Sequence, residues 1–308
     1  MVQAAVTRGR EARHGGGFQQ HKLAPYAFIS PFYVLFGFFF LAPSLIALVL
    51  SLFRWDGIND PRFVLARNYG RLLSDKVFAQ AATNTAIYAI ASLLIVLPLA
   101  LVLAVLLNAK SLRFSNVWRA MYFTPVVTST VAITLVFQIL YNRDTGLLNA
   151  PLINLGLEPI YWLGDRYWIK VAIIILIIWR STGLLTIYFL AGLQSIPEEL
   201  YEAASIDGAS MLQKFFSITI PMLRPIILFV SIIVLLSSIQ IFDEIHILTS
   251  GTGGPANASM SIVQYLYERG YTRLRLGFAS AVGTVLFATV FILSLLQLQW
   301  YGVFRKED

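Results

Sequence analysis

Six runs of predominantly apolar residues, 31–53, 84–107, 120–141, 167–190, 226–248 and 278–301, constrain this chain more than any other feature. A helix rising 1.5 Å per residue needs about 20 such residues to cross the hydrocarbon core of a bilayer. Lipid offers no partner for a backbone N–H or C=O, so each run has to satisfy its own groups as a helix. The expected fold is therefore an all-α integral membrane protein with six transmembrane helices. An even number returns the C-terminus to the side of the N-terminus. Pro31, Pro43, Pro98 and Pro125 fall in or beside these runs, where they are expected to kink a helix without ending it. With 57% hydrophobic and 13% charged residues and a mean hydropathy of +0.72, one membrane domain accounts for nearly the whole chain.

The net charge of +7 is spread over every loop and tail with no dense cluster, which fits orientation in a membrane and not nucleic-acid binding. Residues 1–24 read as a polar cytoplasmic tail carrying Arg8, Arg10, Arg13 and Lys22, and 304–308 as a second tail. A cleaved signal peptide does not fit, since the apolar run that follows is roughly twice the length of a signal core. Lys and Arg divide evenly between the two sides, eleven and eleven, with Arg180 left in the membrane. The short loop holding Lys110, Arg113 and Arg119 without any acid decides for an inner location of that loop, because short loops carry the charge rule best.

Several chemistries are excluded by what is missing. The chain has no cysteine, so it has no disulfide, thiolate metal site or cysteine nucleophile. His14, His21 and His246 are too scattered for a metal site. Neither a phosphate-cradling G-x-x-x-x-G-K-[ST] nor a G-x-S-x-G elbow occurs, so the chain is neither an ATPase nor a serine hydrolase. What remains is a membrane scaffold with no cofactor of its own.

Between the fourth and fifth runs, residues 194–225 are too polar for lipid and too regular for a connector. Ser195 and Glu198 have capping-box spacing around Pro197, which predicts a helix starting at Ile196. Ile196, Leu200, Ala203 and Ala204 would share one face, and Asp207-Gly208 would end the helix. A second helical piece is expected from Ser210 to Ile220, with Pro221 and Pro225 marking the return to the membrane. Glu202-Ala203-Ala204, three residues, Gly208, nine residues, Ile218, one residue, Ile220-Pro221 resembles the EAA loop of ABC importer permeases, with Ile220 where leucine is usual. An amphipathic surface helix would instead carry Lys and Arg on its polar face, and this face is acidic.

The resemblance implies a type I ABC importer permease fold over 25–303, with 194–225 as a cytoplasmic coupling loop. Glu202, Ala203, Ala204, Asp207, Gly208 and Pro221 would couple to the ATP-hydrolysing partner. It also implies a second similar permease, two ATPase subunits that bind the ATP and Mg, an extracytoplasmic solute-binding protein, and a site in the bacterial inner membrane with both termini cytoplasmic. Leu248-Thr249, Gly253-Gly254-Pro255 and residues 276–281 are similar to the carbohydrate-uptake branch that includes maltose and glycerol-phosphate importers. The substrate implied is a sugar or oligosaccharide.

Ionisable residues inside a membrane segment are functional candidates by default. At 1.5 Å per residue, Arg180 lies about 20 Å into the fourth run and Asp243 only about 7 Å from the outer end of the fifth. That mismatch argues against an Arg180–Asp243 pair and leaves Asp243 and Glu244 interfacial. A neighbouring subunit, backbone carbonyls or a substrate group remain as partners for Arg180. In the family, the residues after the tryptophan of this helix, here Trp179, and the polar middle of the next helix face the sugar path. That carries over to Arg180, Ser181, Ser237, Ser238 and Gln240, and an Arg180 facing substrate would admit an anionic sugar. Tyr161, Trp162, Tyr167 and Trp168 read as an interfacial aromatic belt. Two rival functions stand beside this reading. An ion-gradient-driven secondary transporter would want an acid near the midplane, and a membrane assembly protein would need no path.

Overall fold

The computed structural model describes residues 17–109 and 113–302. Of the features singled out above, residues 1–16 of the tail, Lys110 and residues 304–308 lie outside the described residues. Among the described residues, five helical segments are long and apolar enough to cross a membrane: Pro25–Leu50, Lys76–Asn108, Trp168–Gln194, Arg224–Leu248 and Leu276–Trp300. The third expected span is instead a pair, Val117–Val127 and Thr130–Leu140, bent by 99°. Pro125 lies just before that break, and the Thr128 hydroxyl donates to the Thr124 carbonyl, satisfying a group the ended helix leaves free.

The described residues up to Val49 form one unit and those from Leu50 onward another. The first carries helix from Gly17 onward, so residues 17–24, expected in the tail, are already helical. The second holds the core. Its most buried span is Trp168–Gln194, whose Ile169, Ile173, Leu176 and Phe189 are fully enclosed by Tyr88, Ala100, Phe137 and Val230 from neighbouring spans. Gly183 lets this helix approach the third span closely, because a Cβ there would overlap the Tyr122 carbonyl.

Three prolines are absorbed in the same way. Wide turns at Gly37–Leu41, Ser92–Val96 and Phe215–Thr219 each end two residues before Pro43, Pro98 and Pro221. In each, the residue before the proline donates to the carbonyl five back instead of four: Ala42 to Gly37, Leu97 to Ser92, Ile220 to Phe215. A proline brings no N–H and crowds the carbonyl four residues back. Widening the turn by one residue relieves that contact and keeps the helix running.

Non-helical backbone is pinned by buried asparagines. Asn68 Nδ2 donates to the Ser51 and Phe53 carbonyls, holding a short ribbon in which Phe53 pairs with Phe63 and Arg54 with Arg62. Gly277 packs against the Phe53 carbonyl and donates to that of Trp55 at 3.1 Å, so the small residues opening the last span serve packing. Asn84 Nδ2 donates to the Asn257 and Met260 carbonyls, and the Tyr88 hydroxyl to that of Ser259, so the glycine-rich turn after the fifth span folds back onto the second. Asn149, fully buried, donates to the Arg143 and Ile160 carbonyls and accepts from the Ile160 N–H and Trp162 Nε1. Trp162 is therefore enclosed between Tyr141 and Trp168, while Tyr161 and Tyr167 remain exposed; the expected aromatic belt is half core.

Because Asn149 satisfies four groups in one enclosed loop, Asn149→Ala leaves several without partners. The expected loss is about 2–3 kcal/mol, read as a lowered unfolding midpoint of the purified protein in detergent. An unchanged midpoint would show that water replaces the side chain at no cost.

Candidate functional site

The polar stretch after the fourth span folds as two short helices joined by a glycine. The first, Glu198–Ile206, begins later than the sequence suggested. Ser195 does not cap it: this residue ends the fourth span, and its hydroxyl donates to the Gly192 carbonyl at 2.7 Å. Pro197 disfavours helical geometry in Ile196, so Ile196 stays buried at the end of the preceding helix and the new helix starts after the proline. The capping box lies one helix later, where Ser210 Oγ accepts from the Gln213 N–H and Gln213 Oε1 from the Ser210 N–H.

At the other end the expected termination is present. Gly208 sits at φ +76°, the Gly208 N–H donates to Ser205 and the Ala209 N–H to Ala204, a Schellman closure of the helix. The Tyr201 hydroxyl bonds Thr219 Oγ1 at 2.9 Å, and Tyr201, Ile218 and Ile220 pack on the main core. The pair is thus anchored on one side. Its other side leaves Ile206, Met211, Leu212 and Phe216 between 65% and 88% exposed, next to exposed Glu202 and Ala203. Isolated exposed apolar residues are ordinary; four on one short helix pair mark a surface built for contact.

Four of the five path residues expected from the sequence, Arg180, Ser181, Ser237 and Ser238, line one cavity of about 220 Å³ within the bundle. Gln240 does not line it, since the helix ends at Ile239 and Gln240 is exposed. Thr128 and Thr130, at the break of the third span, and Ser92, in the wide turn before Pro98, complete its polar wall. Sequence reasoning passed over these three, although Thr128-Ser129-Thr130 is a polar run in the middle of an apolar segment.

Arg180 has a partner that the depth argument excluded. Its Nη2 lies 2.8 Å from Glu244 Oε1, and its Nη1 donates to Thr130 Oγ1 at 3.2 Å. The Glu244 side chain is 3% exposed against 31% for Arg180, while Asp243 stays exposed. Counting residues along a straight helix failed because the fifth span is not continuous. It stops at Ile239, passes through three non-helical residues and restarts as Asp243–Leu248, which packs against Thr130–Leu140. The contact is an ion pair without an aligned hydrogen bond at Oε1, and Arg180 Nε is buried without a partner.

A larger cleft of about 770 Å³ opens at the opposite end of the bundle from the short helix pair, between the ribbon and the start of the last span. It is lined by Arg54, Arg62, Arg71, Arg269, Arg273 and Arg275 against Asp56, Asp60 and Asp75. Arg269 Nη2 and the Tyr265 hydroxyl both bond Asp75 Oδ2, at 3.0 and 2.7 Å. Asp75 also caps the second span through the Val77 and Phe78 N–H groups. Burial alone would push Asp75 up, but Tyr265, the backbone bonds and Arg269 together hold it below its ordinary 3.8. Among the described residues no group of three metal-ligating side chains occurs.

Comparison with known proteins follows the same outline. Residues 96–301 match the family described as "Binding-protein-dependent transport system inner membrane component". The chain is 41% identical over 273 residues to the lactose transport system permease protein LacF of Rhizobium radiobacter, covering 88% of this chain and 91% of that one. It is 35% identical over 291 residues to the arabinooligosaccharides transport system permease protein AraP of Bacillus subtilis, covering 94% and 92%. Its fold resembles a chain of a bacterial ABC transporter involved in importing the acidic polysaccharide alginate, with a TM-score of 0.82, 24% identity and coverage of 94% and 99%. A second structure of comparable likeness, TM-score 0.81, 24% identity and coverage of 94% and 98%, shows a bacterial alginate ABC transporter in complex with an alginate pentasaccharide-bound periplasmic protein.

The Asp75 cluster gives a pH dependence with a definite sign. A carboxylate whose pKa is lowered by folding contributes stability above its unfolded value, and that contribution disappears as pH falls through the folded value. Wild type is therefore expected to lose stability more steeply than Asp75→Asn once the pH drops below about 4, measured as unfolding midpoints across pH 6 to 3. Parallel curves would contradict the assignment.

Proposed function

The chain belongs to the binding-protein-dependent transport system inner membrane component family, and from that premise we propose that it is the transmembrane subunit of an ATP-driven importer that moves a sugar or oligosaccharide inward by alternating access. The match over 96–301, which spans the short helix pair and every cavity-lining residue except Ser92, is the observation that carries this reading. Permeases with lactose and arabinooligosaccharides in their names, at 41% and 35% identity over most of the chain, support the substrate class. The family is a membrane permease and not an enzyme, so the ATP chemistry belongs to partner chains.

The helix pair at 198–222 is the proposed docking element for an ATPase subunit on the cytoplasmic face. Its inner side is tied into the bundle by Tyr201, Ile218 and Ile220, and its outer side offers Ile206, Met211, Leu212 and Phe216 with Glu202 at the edge. A rigid element fixed on one side and exposed on the other can bias a bundle between two arrangements. With this end cytoplasmic, both termini face the cytoplasm and the arginine-lined cleft faces outward. That cleft is where a solute-binding protein would approach, as the alginate transporter of similar fold is found with a periplasmic protein. A second, similar permease would complete the path, with two ATPase subunits below.

Gly208→Pro removes the positive φ and the N–H that together close the helix, and Glu202→Lys reverses the charge at its edge. Both variants are expected to insert and fold yet to lose ATPase stimulation and co-purifying ATPase in the assembled transporter. Retention of both in Gly208→Pro would count against the docking assignment.

A further inference from the structure

Resting on the reading of the central cavity as part of the sugar path, we infer that Glu244 sets the charge selectivity of that path: by cancelling Arg180 from behind the wall, it makes the cavity select uncharged, hydroxyl-rich sugars and turn away carboxylated ones. Among the described residues lining the cavity, Arg180 is the single ionisable one. Were it unpaired, its guanidinium in a low-dielectric bundle would draw a carboxylate strongly. Glu244, 2.8 Å away and almost wholly buried, already occupies that role. A substrate carboxylate would have to displace it and leave a buried charge uncompensated.

Two of the wall hydroxyls point the same way: Ser237 donates to the Ile233 and Val234 carbonyls and Thr128 to that of Thr124, whereas Thr130 accepts from Arg180 and keeps its own proton. A hydroxyl whose proton is spent on its own helix keeps acceptor lone pairs for whatever fills the cavity. Ser237 and Thr128 thus suit the O–H donors of a neutral sugar and offer no proton to a carboxylate, which only accepts. Ser92, buried with no hydrogen-bond partner, adds one group able to donate or accept. Glu244 is thus a positioning residue that acts through Arg180 and not through the sugar.

The test uses the assembled permease–ATPase complex in nanodiscs without the solute-binding protein, so that the path and not delivery decides. The ligands are lactose and arabinotriose as neutral probes and digalacturonate and trigalacturonate as charged ones. Wild type is expected to bind a neutral probe more tightly than either uronate. Glu244→Gln should shift the uronate-to-neutral affinity ratio toward the uronates by about tenfold or more at low salt, less at high salt. Arg180→Gln combined with Glu244→Gln should restore a preference for neutral probes, a rescue that a merely structural role for Glu244 does not predict. Should Glu244→Gln not assemble, Glu244→Asp withdraws the carboxylate by one methylene and should shift the ratio in the same direction, less far. An unmoved ratio in an assembled variant, or a wild type that prefers uronates, overturns the inference while leaving the sugar-path reading intact. Failure of wild type to bind any of the four probes overturns both.

Discussion

The demand that every backbone polar group inside a bilayer find a partner within the protein is the constraint on which this structure depends. Continuous helices meet it automatically, so each interruption has to be answered locally. Wide turns answer the prolines, the Thr128 hydroxyl answers the end of the Val117–Val127 helix, and Asn68, Asn84 and Asn149 answer the exposed carbonyls of the ribbon and loops. The interruptions are also where the polar lining of the cavity gathers. The break at Thr128–Ser129 delivers Thr130 to Arg180, and the break at 240–242 turns Glu244 inward to the same side chain. Helices running unbroken through both positions would have left Arg180 without either partner.

The fourth span joins the two candidate regions mechanically. It runs from Trp168 to Gln194, carries Arg180 near its middle and ends at the residue that leads into the short helix pair. Arg180 and Gln194 are separated by about 20 Å of unbroken helix at 1.5 Å per residue. In the proposed cycle, displacement of the helix pair by an ATPase subunit moves one end of a stiff rod whose centre holds the arginine that lines the cavity. Gly192, which allows the close approach of Leu223 and Ile226, sits where that rod meets the returning fifth span.

How much was legible in the sequence depended on whether local chemistry or tertiary geometry decided the outcome. The apolar runs, the glycine that ends the Glu198–Ile206 helix and the grouping of Arg180, Ser181, Ser237 and Ser238 at one place follow from composition and spacing, or from a family pattern with fixed intervals. The start of that helix did not, because two local rules competed: the Ser195–Glu198 spacing pointed one way, and the restriction that Pro197 places on Ile196 prevailed. The Arg180–Glu244 pair was missed for a different reason. Depth was computed as if the fifth span were straight, and nothing local in Gln240-Ile241-Phe242 announces that it breaks. The bend of the third span carried a visible signal, Pro125 followed by three hydroxyl residues, whose combined effect exceeded the simple kink expected of a membrane proline.

Proximity decides whether the exposed face of the short helix pair is where an ATPase subunit docks on the cytoplasmic side. The chain has no native cysteine, so Ile206→Cys and, at the opposite end of the bundle, Tyr271→Cys each place one thiol at an exposed position. In membranes holding the whole transporter, a short bifunctional thiol reagent is predicted to join Ile206→Cys to an ATPase subunit and to leave Tyr271→Cys unjoined to it. An ATPase adduct from Tyr271→Cys and none from Ile206→Cys would place the docking face at the opposite end of the bundle and rule out the helix pair.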